Sequence, residues 1–237
     1  MFGRLFRVLS VAGVVALGSA GQAKADVLLL PPNGQGNSSE CPPFGCATHY
    51  QQIYSVAPFG AATHKPMLIT DLLFFNNANT SGLPAQIDQG IFTIRLAVTS
   101  ALSDGSVAAF VDIQGAATVF SGQLPAVVPF RGLPLDIKAQ HPFTYDPSLG
   151  QNLLLDITKE NSSPTSGGMD VLMQANGLFG RIYDIPSGTI SHDSDGLVTQ
   201  FVFTPVPEPV AVVQLCAGLA VVALLARPRR AVVGRRV

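Results

Sequence analysis

The chain has 237 residues, of which 47% are hydrophobic and 12% charged, and its formal net charge is −1. The charges are segregated, because residues 26–204 hold six basic and fourteen acidic residues, a balance of −8, while the other basic residues cluster towards the two ends. An acidic central region repels phosphate backbones, which argues against a nucleic-acid partner. This region of about 180 residues is long enough for one domain with its own core.

The beginning of the chain has the pattern of a secretory signal peptide. Arg4 and Arg7 precede an apolar run at residues 8–20, and Ala23 and Ala25 place small residues where signal peptidase requires them. About thirteen apolar residues are too few to cross a bilayer core of about 30 Å as a helix. We therefore expect the secretion machinery to export the chain across the inner membrane and signal peptidase to cleave it after Ala25. An uncleaved membrane helix is the alternative.

The segment 26–66 is predicted to be rich in loops that wrap around the domain. It contains Cys41 and Cys46, which meet oxidising conditions after export, so we expect a local disulfide between them. Two free thiols are the alternative. Zinc is less favoured, because no second pair of ligands accompanies the cysteines. Cys216 lies in a C-terminal apolar run and cannot reach this pair.

Short apolar segments dominate residues 67–204, and glycine, proline, asparagine, aspartate and serine separate them, as is typical of strands and turns. In one segment Phe92, Ile94, Leu96 and Val98 alternate with polar residues, so we expect one buried and one solvated face. No long stretch has helical periodicity. Strands are predicted at residues 53–56, 67–75, 90–99, 107–113, 118–121, 135–137, 153–158, 170–174, 181–184 and 197–204.

About ten short strands, joined by loops too short for crossover helices, predict an all-β fold. We expect an antiparallel β-sandwich of the jelly-roll type, with a barrel as the alternative. Residues 146–150 predict a turn, and Leu153, Leu155 and Ile157 should alternate inwards along the strand that follows it.

No residue pattern marks a catalytic centre, so we predict a non-enzymatic protein without a cofactor. No Gly-x-Ser-x-Gly motif is present, and the histidines lack the spacing of a metal pair. Asp193 and Asp195, just before Gly196, resemble the start of a calcium loop, but the further ligands of such a loop do not follow. A solvated β-turn is the preferred interpretation of these aspartates. The histidines are His49, His64, His141 and His192.

The end of the chain combines three features in a fixed order. Residues 206–209 read Val-Pro-Glu-Pro, residues 210–226 form an apolar run, and residues 227–237 contain five arginines. Prolines on both sides of Glu208 prevent a helix there and keep the peptide accessible to a processing enzyme. The apolar run is about 25 Å long as a helix, which is marginal but usable for a single transmembrane span. The arginines should remain cytoplasmic.

This tail resembles the PEP-CTERM sorting signal of exported bacterial proteins. The resemblance implies that an exosortase, an integral-membrane enzyme, recognises the motif formed by Val206, Pro207, Glu208 and Pro209. It also implies a bacterium that makes exopolysaccharide and a chain that is delivered to the cell surface or extracellular matrix. The run at residues 141–157 is likewise similar to a segment of PEP-CTERM ectodomains. An ordinary single-pass membrane anchor is the alternative.

The sequence therefore predicts an exported, non-enzymatic cell-surface or matrix protein that is membrane-anchored only transiently. Its expected partners are the secretion machinery, signal peptidase, exosortase, the membrane and exopolysaccharide. A secreted carbohydrate-binding module is the first alternative, and a secreted hydrolase with dispersed catalytic residues is the second. The predicted regions are the signal peptide at 1–25, the loop-rich segment at 26–66, the β-sandwich ectodomain at 67–204 and the sorting signal at 205–237.

Overall fold

The structure is a computed structural model that describes residues 24–34, 36–76, 85–128, 134–165, 168–175, 177–185 and 187–206. The predicted signal peptide as far as Ala23 lies outside the described residues, as does the tail from Pro207, with its apolar run 210–226 and its arginine-rich end 227–237. Within the described ranges, no helix is long and apolar enough to cross a membrane.

The described chain consists mainly of short strands, with one short α-helix and one 3-10 helix. Glycine, proline and asparagine punctuate the sequence between strands because they adopt the backbone angles that turns require. The elements are β1 (Asp26–Leu30), β2 (Ser38–Glu40), β3 (His49–Tyr54), α1 (Val56–Ala62), β4 (Met67–Phe74), β5 (Ala85–Gln86), β6 (Ile91–Thr99), β7 (Ala117–Gly122), β8 (Val127–Val128), β9 (Leu135–Tyr145), the 3-10 helix (Pro147–Leu149), β10 (Asn152–Glu160), β11 (Met169–Leu172), β12 (Phe179–Asp184), β13 (Ile190–Asp193), β14 (Gly196–Leu197) and β15 (Thr199–Pro205).

Two sheets form the body of the fold. The four-stranded sheet has the order β1-β15-β4-β9, and the six-stranded sheet has the order β13-β12-β3-β10-β6-β7. Every strand pair in both sheets is antiparallel. A three-stranded sheet, β14-β11-β2, and a two-stranded sheet, β5-β8, are smaller. The arrangement is an all-β, sandwich-like fold, so the predicted fold class is confirmed at this level.

Aromatic rings from both large sheets meet in the core. Tyr54 of β3 packs edge-on against Phe201 of β15, with ring centroids 5.0 Å apart. Phe59, the buried residue of α1, contacts the same Phe201 ring and also Tyr145 at the end of β9, each at 5.1 Å. The Tyr54 hydroxyl lies 2.7 Å from the Thr199 hydroxyl, so its polar end is satisfied inside the core.

Strand β10 follows the predicted inward alternation and is also covered on its other face. Leu153, Leu155 and Ile157 belong to the main core, as the sequence predicted. Leu154, between them, is equally buried and belongs to a second, smaller cluster. The turn predicted at residues 146–150 is also present, as a 3-10 helix that the Asp146 side chain caps. The six-stranded sheet therefore buries part of both faces.

The loop at residues 100–116 covers this second face, and it corrects two predictions. Residues 107–113 were predicted to be a strand, but they form part of this loop, and the backbone groups of Val111 bond to a side chain instead of a neighbouring strand. The Val111 N–H donates to Oε1 of Gln51 (2.7 Å), and Nε2 of Gln51 donates to the Val111 carbonyl (3.0 Å). Val98, predicted to face the core, is exposed near the end of β6. The second cluster comprises Ile53, Ala97 and Leu154, packed against Ala101, Val107, Val111, Ile113 and Ala116.

The segment 26–66 differs from the loop-rich prediction, because it contributes strands to both large sheets. β1 pairs with β15 along its whole length, and β3 lies between β10 and β12 near the centre of the six-stranded sheet. The predicted domain boundary at residue 67 therefore falls inside the packed body. β9 is also longer than the strand predicted at 135–137, and it pairs with β4 around a β-bulge.

Candidate functional site

The two predicted processing regions border the folded body directly. Strand β1 begins at Asp26, immediately after Ala25 of the predicted signal-peptidase site, and β15 ends at Pro205. The Val206 N–H, in the predicted sorting motif, donates to the Pro66 carbonyl at 2.8 Å. The described body therefore occupies the interval between the two predicted cleavage regions. Ala23, Pro207, Glu208 and Pro209 lie outside the described residues.

A disulfide joins Cys41 and Cys46, whose Cα atoms are 5.3 Å apart. The loop that it closes places Phe44 in the core, where its ring centroid lies 4.9 Å from that of Phe74. The Gly45 N–H donates to the Cys41 carbonyl at 2.7 Å, which completes a tight turn inside the disulfide. The bridge thus holds a short loop whose central side chain is part of the core.

The aspartates that the sequence suggested for calcium lie around a buried arginine. Arg181 of β12 donates from Nε to Oδ1 of Asp193 (2.7 Å) and from Nη2 to Oδ2 of the same carboxylate (3.0 Å). Its Nη2 also donates to Oδ2 of Asp195 at 3.3 Å, and its Nη1 lies 2.6 Å from Oε2 of Glu40 as an ion contact outside hydrogen-bonding geometry. The hairpin register that pairs Arg181 with Asp193 brings the groups together.

The electrostatics of this cluster are those of a compensated buried cation. Burial by itself lowers the pKa of Arg181, but its hydrogen bond to Asp193 and the charges around it raise that pKa above the ordinary value. Burial raises the pKa of Asp195 above its ordinary value, and the negative charge of Asp193 raises it further. The hydrogen bond from the Gln174 N–H and the positive charge of Arg181 lower this pKa, but they do not outweigh the first two effects. Tyr183 adds a cation–π contact at 5.0 Å from the guanidinium carbon. The carboxylates therefore neutralise Arg181, and the interpretation as a solvated β-turn is replaced by this ion cluster.

A shallow cleft of about 360 Å³ lies beside the disulfide and the Arg181 cluster. Glu40, Tyr183 and Ser39 contribute to its walls together with both disulfide cysteines. An aromatic ring, a carboxylate and a hydroxyl in one open groove are groups that contact polar small molecules. Sequence reasoning missed this cleft, because its walls come from segments about 140 residues apart.

A second polar cluster lies on the outer face of the six-stranded sheet, beside the loop 100–116, which contributes Phe110 and the Val111 backbone to it. The buried Asp156 accepts from Gln51 Nε2 at 2.8 Å and from Arg95 Nε at 2.9 Å, and its Oδ1 lies 2.7 Å from His49 Nε2. The His49 ring stacks on Phe110 with a centroid separation of 3.8 Å. Burial raises the pKa of Asp156, but the hydrogen bonds from His49 and Gln51 and the charges nearby lower it overall.

A third polar cluster surrounds a buried ion pair and links strand β10 with the loop after it and with the connection between β5 and β6. Lys159 Nζ lies 3.0 Å from Oδ2 of Asp88, which also accepts from the Ser162 hydroxyl. The backbone N–H groups of Ser163 and Gly90 donate to the other carboxylate oxygen. Burial raises the pKa of Asp88, but these hydrogen bonds outweigh it and lower the pKa to about 2. A carboxylate with this many donors is held ionised, which stabilises the connection between β5 and β6.

The structure does not bring the four histidines together. His49 belongs to the Asp156 cluster, His192 Nδ1 lies 3.0 Å from the Gly105 carbonyl oxygen, and His64 and His141 are exposed. Within the described residues, no three histidine, cysteine or acidic side chains are grouped so that they could hold a metal ion. The residues that sequence reasoning missed, such as Asp156 and Arg181, share one signal: each is a charged residue with apolar neighbours in a strand.

Fold and clusters together define a mostly antiparallel, sandwich-like all-β protein with three polar networks. No protein-family model matches the sequence, and no curated protein matches it.

Proposed function

We propose that this chain is an exported, non-enzymatic protein of the bacterial cell surface or extracellular matrix, sorted by an exosortase through its C-terminal signal. The observation that carries the proposal is that the limits of the packed body coincide with the two predicted processing sites. The packed body begins at Asp26 and its last described contact is made by Val206, so it fills the interval between the predicted signal-peptidase site and the Pro-Glu-Pro motif. Cleavage at either border leaves all the strands that the structure describes intact.

The disulfide supports export. Cys41 and Cys46 are joined in a loop whose Phe44 is part of the core, and such bridges persist outside the reducing cytoplasm. The chain then stays in the inner membrane through residues 210–226 until exosortase releases it. Association with exopolysaccharide follows from the same sorting route.

We further propose that the sandwich is a jelly roll. That fold is a long antiparallel hairpin of eight strands rolled over itself, so that strand 1 pairs with 8, 2 with 7, 3 with 6 and 4 with 5. When β1, β3, β4, β6, β7, β9, β10 and β15 are taken as those eight strands, all four pairings are present. Strands β12 and β13 then extend the second sheet at its edge.

The sorting proposal is tested by mass spectrometry of the secreted chain in an exosortase-containing host. The released protein should begin at Asp26 and lack the arginine-rich end at residues 227–237. A Glu208→Ala chain, and the wild-type chain in a host without exosortase, should both remain in the membrane fraction. A released protein that retains its final arginines, or a wild-type chain that never leaves the inner membrane, overturns the proposal.

A carbohydrate-binding module is the second candidate, because the cleft beside the disulfide offers Tyr183 for stacking and Glu40 and Ser39 for hydrogen bonding. Its test is a glycan array with the wild type, Tyr183→Ala and Tyr183→Phe. Glycan binding that the Tyr183→Phe variant retains and the Tyr183→Ala variant loses supports a stacking site in this cleft. A flat array with the wild type removes this candidate and leaves the sorting proposal unaffected.

A further inference from the structure

Both ends of the described body emerge at the same end of the sandwich. Asp26, the first residue of β1, pairs with Phe203 near the end of β15. Pro205, at the end of β15, pairs with Met67, where β4 begins after helix α1. We call this end the terminal pole; it comprises the start of β1, the end of β15, α1, the 3-10 helix and residues 98–102.

The last described residue of the chain is hydrogen-bonded to the terminal pole. The Val206 N–H donates to the Pro66 carbonyl, so the chain is held against the connection between α1 and β4. The apolar run begins at residue 210, and four residues reach at most about 14 Å even when fully extended. A run that enters a bilayer at residue 210 therefore brings the terminal pole close to the bilayer surface.

The terminal pole also exposes large apolar side chains. Leu149 of the 3-10 helix is 68% exposed, Val27 of β1 63%, Leu102 60% and Val98 44%. Leu102 and Leu149 both lie close to the start of β10, because Asn152 Nδ2 donates to the neighbouring Ala101 carbonyl at 2.9 Å. Single exposed apolar residues are ordinary, but Leu102 and Leu149 lie near each other at the end that carries both chain exits, so they can contact an apolar partner together.

The charges at the terminal pole do not favour a lipid of one sign. Lys24 and Lys65 are exposed beside it, but Asp26 is exposed as well, and Asp146 caps the 3-10 helix. Attraction to anionic headgroups is therefore small, and contact with a bilayer depends on the apolar side chains.

We propose that the terminal pole rests on the lipid bilayer while the chain is anchored, with Leu102 and Leu149 inserted into the interface between headgroups and acyl chains. The proposal rests on the anchoring in the proposed function and adds the orientation of the body. The opposite end, which carries the disulfide and the Asp88–Lys159 pair, then faces away from the membrane. A short tether keeps the local concentration of the pole at the membrane high, so a few side chains suffice for contact.

The chain contains no tryptophan, so an introduced tryptophan can be excited selectively and followed without a background from other tryptophans. The full chain is reconstituted into neutral phosphatidylcholine vesicles with brominated acyl chains, which quench nearby tryptophan. Leu149→Trp and Leu102→Trp place the reporter at the terminal pole. The matched control is Ile190→Trp, because Ile190 is 49% exposed in β13 and pairs with Asp184 at the other end of the sandwich.

We expect the tryptophan fluorescence of the two reporters at the terminal pole to be quenched at least about twofold. An interfacial side chain is buried some 5–10 Å into the boundary region, where the brominated chains can reach it. Ile190→Trp should not be quenched. Co-flotation of the chain with the vesicles measures the anchoring independently of the contact between the terminal pole and the bilayer. Chains that float but show equal quenching at Leu149→Trp and Ile190→Trp overturn the contact alone, whereas chains that do not float overturn the contact and the anchoring together.

Discussion

Single charged residues hold distant parts of the chain together. Arg181 contacts Glu40, Asp193 and Asp195, although Glu40 lies in β2 and the aspartates follow β12. A guanidinium offers five donors in a planar fork, so it can bind several carboxylates at once, which a lysine cannot do in the same geometry. The buried cation is tolerated because its charge is compensated.

Removal of Arg181 should therefore leave three carboxylates that repel one another. We expect Arg181→Met to lower the free energy of unfolding by roughly 3–5 kcal/mol, as for other broken buried ion pairs. Urea denaturation of the full chain in detergent measures it. Lys138→Met is the control, because Lys138 is 79% exposed and 3.8 Å from both Asp71 and Asp136; its cost should stay under about 1 kcal/mol. Equal losses for the two variants contradict the role assigned to Arg181.

The contribution of the ionised Asp88 carboxylate to the free energy of unfolding should depend on pH. Its pKa is about 2 in the folded chain and about 3.9 in an unfolded one. A depressed pKa contributes stability that is complete above about pH 4 and is lost as the pH falls through about 2. The difference in unfolding free energy between the wild type and Asp88→Asn should therefore shrink by roughly 2 kcal/mol between pH 6 and pH 2.

The charge-matched control for this experiment is Asp112→Asn, at an exposed residue of the loop 100–116. Both variants are compared with the wild type by chemical denaturation at pH 6 and pH 2. A wild-type advantage over Asp88→Asn that is the same at both pH values shows that the buried carboxylate is not stabilised in this way.

At the scale of the element, the disulfide loop shows how a covalent bond and a side chain divide their roles. The bridge closes a loop with a sequence separation of 5, whereas Phe44 is fully buried and contacts Phe74 and Phe92. A short closed loop removes little entropy from the unfolded chain. A lost core ring leaves a cavity.

Phe44→Ala should therefore destabilise the chain more than the double change Cys41→Ser with Cys46→Ser. We expect about 3–5 kcal/mol for the loss of the ring and about 2 kcal/mol for the loss of the bridge. Thermal or urea denaturation of the two variants gives the order directly. A larger loss for the double serine variant means that the bridge, and not the ring, anchors the loop.

The elements that the sequence predicted well are those with a strong local pattern. Leu153, Leu155 and Ile157 alternate with a period of two, and the Asp146 and Gly150 turn has its own chemistry, so both were found. Residues 107–113 are also mainly apolar, but the Val111 backbone in their middle bonds to the side chain of Gln51, 60 residues away. No local pattern contains that partner.

The polar clusters were predicted less well for the same reason. The sequence drew attention to Asp193 and Asp195 but not to Arg181, because their contact depends on the register of the β12–β13 hairpin. Glu40 joins from a strand that was predicted to be a loop. The nature of a charged residue is visible in a sequence, whereas its partner is fixed by the tertiary fold.

At the scale of the whole molecule, the first strand and the last strand are neighbours. β15 lies between β1 and β4 and supplies Phe201 and Phe203 to the core. A chain that stops after Val198 should therefore lose the protease resistance of the body, whereas a chain that stops after Val206 should keep it. Limited proteolysis of the two truncated chains tests this expectation. A resistant fragment that lacks β15 shows that the four-stranded sheet closes without its inner strand.

The pairing of β1 with β15 also sets an order of events during synthesis. Some 170 residues separate the two strands, and at a translation rate of about 5–20 residues per second the first strand waits roughly 10–35 s for its partner. Throughout that interval the four-stranded sheet lacks its inner strand β15, so this sheet is completed only when the last described strand has been synthesised.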